Sequence, residues 1–331
     1  MNERFKWICL VFILFNLRGV AFSSEYFLMM LNVKARPIAM GGAFGSLKDD
    51  LASLDMNPAS FSLSSTRQNI HFITFINPAG PLYLLNRESG RSWDVLPGMF
   101  IHGMALSIGN FNLGVIIGQE IFSRNSNSAV IGTFKVSDYK ERRNATFGLS
   151  LSLSPLVSLG MAGDIYMGYD RMVSVGYRYG ILIETKHRIN AGLYFVDFPD
   201  DYSGDRFTIE RLEDETLNIG VSYNPFDRLT LSLDIRNVSD EGRPAVREPH
   251  IGFEFIPYHH VALRGGYFRS SDGKSELVSF GFGFLDWNYF VGDEKRFPHK
   301  NFGLNLSAAF GRIGGIYSRW IFLSAVFRLS T

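Results

Sequence analysis

From about residue 65 to its end, the chain alternates apolar with small or polar positions. Ala145, Phe147, Leu149, Leu151 and Leu153 interleave with Thr146, Gly148, Ser150, Ser152 and Ser154. Leu217, Ile219, Val221 and Tyr223 interleave with Thr216, Asn218, Gly220 and Ser222. Leu229, Leu231, Leu233 and Ile235 do so with Thr230, Ser232, Asp234 and Arg236, and Phe302, Leu304 and Leu306 with Gly303, Asn305 and Ser307. A period of two is that of a β-strand, and a helix would need 3.6. Runs of about ten residues with one apolar and one polar face are the mark of transmembrane strands. A soluble β-sandwich has the same alternation with the apolar face inside. Strand length and a second face rich in Gly, Ser and Asn favour lipid outside and a lumen inside.

Sixteen candidate strands can be marked, near 68–76, 102–109, 111–122, 129–140, 143–154, 156–169, 172–185, 188–198, 215–226, 228–238, 249–258, 260–269, 276–286, 288–294, 300–310 and 318–329. An even number leaves no edge unpaired when a barrel closes. Tight turns are expected around Asn110, Pro155, Asn224-Pro225 and Tyr258-His259. Longer loops are expected at 77–98, 199–214, 239–248 and 287–300, on the opposite, outer side. The loop at 199–214, with Glu215, is acidic but lacks the spacing of a calcium loop, so it reads as a solvated face.

Composition fits this picture. The chain has 331 residues, 33 of them Gly and 30 Phe, as suits a barrel with aromatic girdles. A net charge of +1 gives no support for nucleic-acid binding. Residues 1–24 read as a signal peptide: Arg4 and Lys6, then the apolar run Ile8–Phe15, then Ala21-Phe22-Ser23. Cys9, the only cysteine, lies in that run, so the mature chain would have neither a disulfide nor a thiolate metal site.

Between leader and strands lies Ala35–Ser62, ARPIAMGGAFGSLKDDLASLDMNPASFS. Gly41-Gly42 reads as a tight turn, since Gly reaches positive φ without steric cost. Asp49 or Asp50 can cap a short helix through Leu54, and Asn57-Pro58-Ala59 starts a second one with Asn as N-cap and Pro at N1. A unit of this size cannot bury a core of its own, so it must pack on or inside something larger.

Met40-Gly41-Gly42-Ala43-Phe44, Asp49-Asp50 and Asn57-Pro58-Ala59 resemble, in order and spacing, the N-terminal signature of FadL-like outer-membrane barrels, the group of the long-chain fatty-acid transporters and the PorV-type barrels of type IX secretion. Ser60 stands where that pattern has Gly, and Met56 where it has an aromatic residue. His250 to Phe255 with Val261 to Tyr267 resemble the paired GxEY and LRxGY strands of PorV-type barrels, with Phe255 replacing Tyr. The resemblance implies an all-β fold: an antiparallel transmembrane barrel of about 14 strands (possibly 16) at 67–331, with a short helical plug segment at 25–66, in the bacterial outer membrane. It implies passive transport of hydrophobic or amphipathic small molecules, in which a bound ligand moves the plug. The alternative it implies is a PorV-type scaffold whose partners are secretion or surface proteins. Gly41, Gly42, Asp49, Asp50, Asn57 and Pro58 are then plug or gating residues. Outer-membrane lipid and a hydrophobic ligand are the expected partners. Transport also predicts an apolar pocket beside the plug.

Charged residues on the lumen face are Arg178, Asp234, Arg236, Glu254 and Arg264, because facing lipid would cost each several kcal/mol. Glu254 and Arg264 can pair across adjacent strands. The set reads as a selectivity or plug-anchoring ladder, or as a salt-bridge network that fills the lumen. His259-His260 are adjacent and point to opposite faces of a strand, so no metal site is expected there. No GxSxG elbow is present, and neither an enzyme nor a cofactor is expected.

Overall fold

A computed structural model describes residues 26–29, 35–48, 51–62, 70–76, 101–118, 143–167, 173–197, 215–240, 247–285, 300–313 and 316–330. The signal peptide expected at 1–24, Asp49, Asp50, the acidic loop expected at 199–214 and the strands expected at 129–140 and 288–294 lie outside them. The other fourteen expected strands are present.

The chain begins with β1 (Tyr26–Met29), then α1 (Ala35–Ala39), α2 (Leu51–Leu54) and a 3-10 turn at Pro58–Ser60. The wall strands are β2 (Ile70–Ile76), β3 (Ile101–Ile108), β4 (Phe111–Gly118), β5 (Arg143–Ser154), β6 (Val157–Met167), β7 (Val173–Glu184) and β8 (Ile189–Asp197). They continue as β9 (Thr216–Phe226), β10 (Leu229–Asp240), β11 (Glu248–Tyr258), β12 (Val261–Arg269), β13 (Glu276–Phe284), β14 (Lys300–Ile313) and β15 (Ile316–Ser330). From β2 to β15 each strand pairs antiparallel with the next. β15 returns to β2, from Ala325 opposite Ile76 to Ser330 opposite His71, so the fourteen described wall strands close a ring. Closure satisfies the backbone groups that an open edge would leave unpaired in lipid. β1 lies outside this pattern, running parallel to β15 at Arg319–Phe322.

The alternation sorts side chains as the period predicts. Phe147, Leu153, Ile183, Ile251 and Phe280 point outward and are exposed. Thr146, Ser150, Asn218, Ser222 and Ser307 point inward and are buried. An exposed apolar belt around a closed antiparallel ring is a lipid-facing surface. No helix among the described residues is long and apolar enough to cross a membrane.

Tight connections gather at one end: Gly109-Asn110, Pro155-Leu156, Thr185–Arg188, Asp227-Arg228 and His259-His260. Two expectations need correction. Asn224 and Pro225 lie inside β9, and the turn falls at Asp227-Arg228, where a register shift between Leu229 and Leu231 takes up the difference. The connection leaving β13 after Phe284 starts from this same tight-turn end, because an odd number of strand reversals separates it from the long loops.

Candidate functional site

The site is the contact between the segment 35–62 and the lumen. α1 ends on Gly41 and Gly42, with φ of 64° and 80°. Their N–H groups bond back to Ile38 and Pro37 carbonyls at 2.9 Å each, which closes the helix as a left-handed glycine end does. The turn lies flat on the wall. A Cβ on Gly266 would come within 1.9 Å of Gly41 N, and one on Gly252 within 2.4 Å of Met40 O. Asn57 caps the second turn: its Oδ1 accepts from Ala59 N–H at 3.0 Å and Pro58 follows at N1. Its amide donates to Gly45 O at 2.8 Å and Ile181 O at 3.3 Å, so one side chain joins both halves of the segment to β7. Ser60 is buried, and its hydroxyl donates to Asn57 O at 2.7 Å.

One sector of the wall holds the segment with ionic groups. Asp234 accepts the N–H groups of Phe44 at 2.9 Å and Gly45 at 2.7 Å. Arg236 donates to Gly42 O and faces Met56 Sδ. His250 Nδ1–H donates to Gly41 O at 2.6 Å, while its Nε2 lies 3.6 Å from Glu248 and its ring stacks on Phe268. Ser279 Oγ accepts from Gly41 N–H at 3.0 Å. Glu254 and Arg264 stand directly opposite across β11 and β12 and bond at 2.5 Å. Glu254 also takes a bidentate pair from Arg36 of α1, at 2.9 and 2.7 Å. A forked guanidinium–carboxylate pair fixes direction as well as distance.

A further clamp sits on β6 and β7. Arg178 is held by both Asp164 oxygens, one at 2.7 Å, and reaches Asp55 through its backbone carbonyl and carboxylate. Thr146 donates to Asp164 at 2.5 Å. These bonds satisfy ions that would otherwise be strongly penalised by burial.

The opposite sector is apolar. Leu51, Leu54 and Phe61 pack with Ala105, Ile116, Ala162 and Val326. Glycines in the wall make room: a Cβ on Gly148 would lie 2.2 Å from Leu54 Cδ1. Between its halves the segment buries Met40, Phe44, Leu47, Ala52 and Met56 against one another. Where an apolar pocket was expected beside the plug, Leu51, Leu54 and Phe61 of the plug itself pack against the wall strands.

All five lumen charges expected from the sequence, Arg178, Asp234, Arg236, Glu254 and Arg264, point inward and are buried, and each bonds to the 35–62 segment or to a partner that does. They are anchors of the segment and a salt network at once. Gly41, Gly42, Asn57 and Pro58 meet the wall, while Asp49 and Asp50 lie outside the described residues. Asp164, Glu248, His250 and Arg36 were not singled out. Glu248 and His250 share inward parity with Glu254 on β11, and Asp164 alternates in line with Ser158, Gly160 and Ala162, so the same reading finds them.

No family model matches the chain, and no curated protein matches it. Solved structures do. The toluene transporter TbuX of Ralstonia pickettii matches with a TM-score of 0.50 and 12% identity, covering 91% of this chain and 98% of that one. The toluene transporter TodX of Pseudomonas putida matches with a TM-score of 0.50 and 13% identity, covering 92% and 99%. The fold of this chain is therefore that of these transporters.

Proposed function

We propose that this chain, which has the FadL-like barrel fold, lets hydrophobic or amphipathic small molecules pass the bacterial outer membrane around its plug. The observation that carries the reading is the division of the plug's contacts into an ionic and an apolar side. Ionic contacts cannot be exchanged for contacts with a hydrocarbon, because each buried ion would lose its partner. Apolar contacts can be, since Leu51, Leu54 and Phe61 lose little when an apolar molecule takes the place of Ala105 and Ile116. The path runs along β3 and β4, with the plug still tethered by the β6–β7 clamp and by β10 to β12. Met40 and Met56 give the plug an interior that re-packs readily. The toluene-transporter fold supports this reading, and no observation favours a scaffold role for the outer loops.

A reversible lock tests it. A Cβ on Gly103 would lie 2.9 Å from Leu51 Cδ1, so Leu51→Cys with Gly103→Cys places two thiols across the proposed path. Oxidation is expected to reduce uptake of labelled toluene or a long-chain fatty acid to background, and reduction to restore it. Uptake that is the same oxidised and reduced, with the disulfide verified, would remove the path from this side of the plug.

A further inference from the structure

The outer face of the wall carries a dent in its apolar belt. Cross-strand pairing sets Tyr223, Leu231, Phe253, Gly265 and Phe280 in one row over β9 to β13. Gly265 alone in that row has no side chain, and its outward position is partly covered by the Phe253 ring: a Cβ there would meet Phe253 Cε1 at 2.5 Å. An aromatic laid over a cross-strand glycine keeps the sheet paired and leaves a shallow floor. The result is an apolar cavity of about 650 Å³, open to the lipid side and bounded by Leu231, Phe253 and Phe280.

Beneath this cavity the tight-turn end is basic. Three neighbouring hairpins bring Lys186, His187 and Arg188, then Asp227 and Arg228, then His259 and His260 to one stretch of rim. The other tight turns, Gly109-Asn110 and Pro155-Leu156, carry no charge. Arg188 pairs with Asp227 at 2.9 Å, both well exposed. Arg228 donates to the neutral Pro257 carbonyl at 3.4 Å, which leaves its charge uncompensated by that bond. Leu231 in the cavity is three residues from Arg228, about 10 Å along a strand. That spacing suits a ligand whose charged head and apolar tail are joined end to end. Phe226 and Tyr258, exposed beside these turns, mark the level at which a membrane interface lies.

We propose that this sector is a binding site for one anionic phospholipid of the surrounding membrane. Its phosphate lies on the Arg228 rim and an acyl chain lies in the dent over Gly265. Charge complementarity selects the head, since a zwitterionic lipid brings no net charge to a cationic rim. The apolar cavity takes a chain, with the Phe253 ring laid over Gly265 as its floor and Leu231 and Phe280 beside it.

The test is native mass spectrometry of the full-length protein in detergent, titrated in parallel with dioleoylphosphatidylglycerol and dioleoylphosphatidylcholine. Phosphatidylglycerol is expected to be retained as one preferred copy. Arg228→Ala lowers its affinity about fivefold and leaves phosphatidylcholine unchanged. Gly265→Leu fills the floor and weakens both lipids together. Phe280→Ala, at a position 57% exposed, removes one wall of the cavity and serves the same purpose if the glycine variant fails to fold. Equal retention of the two lipids, or an unchanged ratio in Arg228→Ala, overturns the site. Undiminished binding in both cavity variants does so too.

Discussion

The two sectors of wall that grip the plug differ in what they ask of it. Strands β10 to β12 turn Asp234, Arg236, Glu248, His250, Glu254 and Arg264 inward. The described inward positions of β3 and β4 are Gly103, Ala105, Ser107, Asn112, Gly114 and Ile116, none of them charged. The charged sector bonds to backbone atoms of residues 41–45 and to Arg36, so it dictates where these peptide groups sit. The apolar sector dictates only volume. A buried ion that loses its partner is strongly penalised, whereas an apolar contact can be replaced by another of similar size. One side therefore sets the register of the plug, and the other side lets it yield.

The largest effect is expected at the β6–β7 clamp. Arg178→Met leaves Asp164 and Asp55 buried without their cation, and should lower barrel stability by about 3–5 kcal/mol, measured as heat-induced loss of folded electrophoretic mobility. Adding Asp164→Leu should return part of that loss, since it removes one of the two stranded carboxylates. Next comes Leu54→Ala on the apolar side, at about 3 kcal/mol. It should raise hydrogen exchange in residues 51–62 and leave 35–48 protected. Equal loosening of both halves would show that the plug moves as one body, and the contrast drawn above would fall. Asn57→Ala removes the cap and the bonds to Gly45 and Ile181, about 1–2 kcal/mol, and should couple the halves less tightly, so that exchange at Gly45 and Ala59 rises together. The smallest effect belongs to Lys48→Ala. Its pair with Glu184 is part-exposed at the tight-turn end, and its loss should change melting by less than about 1 kcal/mol.

Much of this was legible before any coordinates. Period-two alternation gave the inward and outward faces, because a strand has only two sides and lipid tolerates only one kind of residue. The same argument placed Arg178 and Asp234 in the lumen. It would have placed Asp164, in line with Ser158, Gly160 and Ala162, and His250, in line with Gly252 and Glu254, had parity been applied to every ionisable residue. The cap at Asn57-Pro58 and the turn at Gly41-Gly42 were legible because each depends on neighbours within four residues. What joins plug to wall was not. Arg36 and Glu254 are 218 positions apart, and Phe44 and Asp234 are 190 apart. No local pattern encodes such a meeting, and Arg36 reads in the sequence as one more basic residue near a helix. The turn at Asp227-Arg228 is not encoded locally for a related reason: a register shift is a property of two strands together.

The ring closes only when β15 finds β2, and the plug precedes β2 in the chain. This order has a kinetic consequence. The segment that packs into the lumen is made first, yet its partners on β10 to β13 are made late, so those contacts must wait for most of the chain. Once Ala325–Ser330 have zipped against β2, a wall of continuous hydrogen bonds surrounds the segment. Assembly therefore has to enclose a guest already present, as a barrel is coopered around its contents, and a chain cut short before β15 would leave the ring open around it.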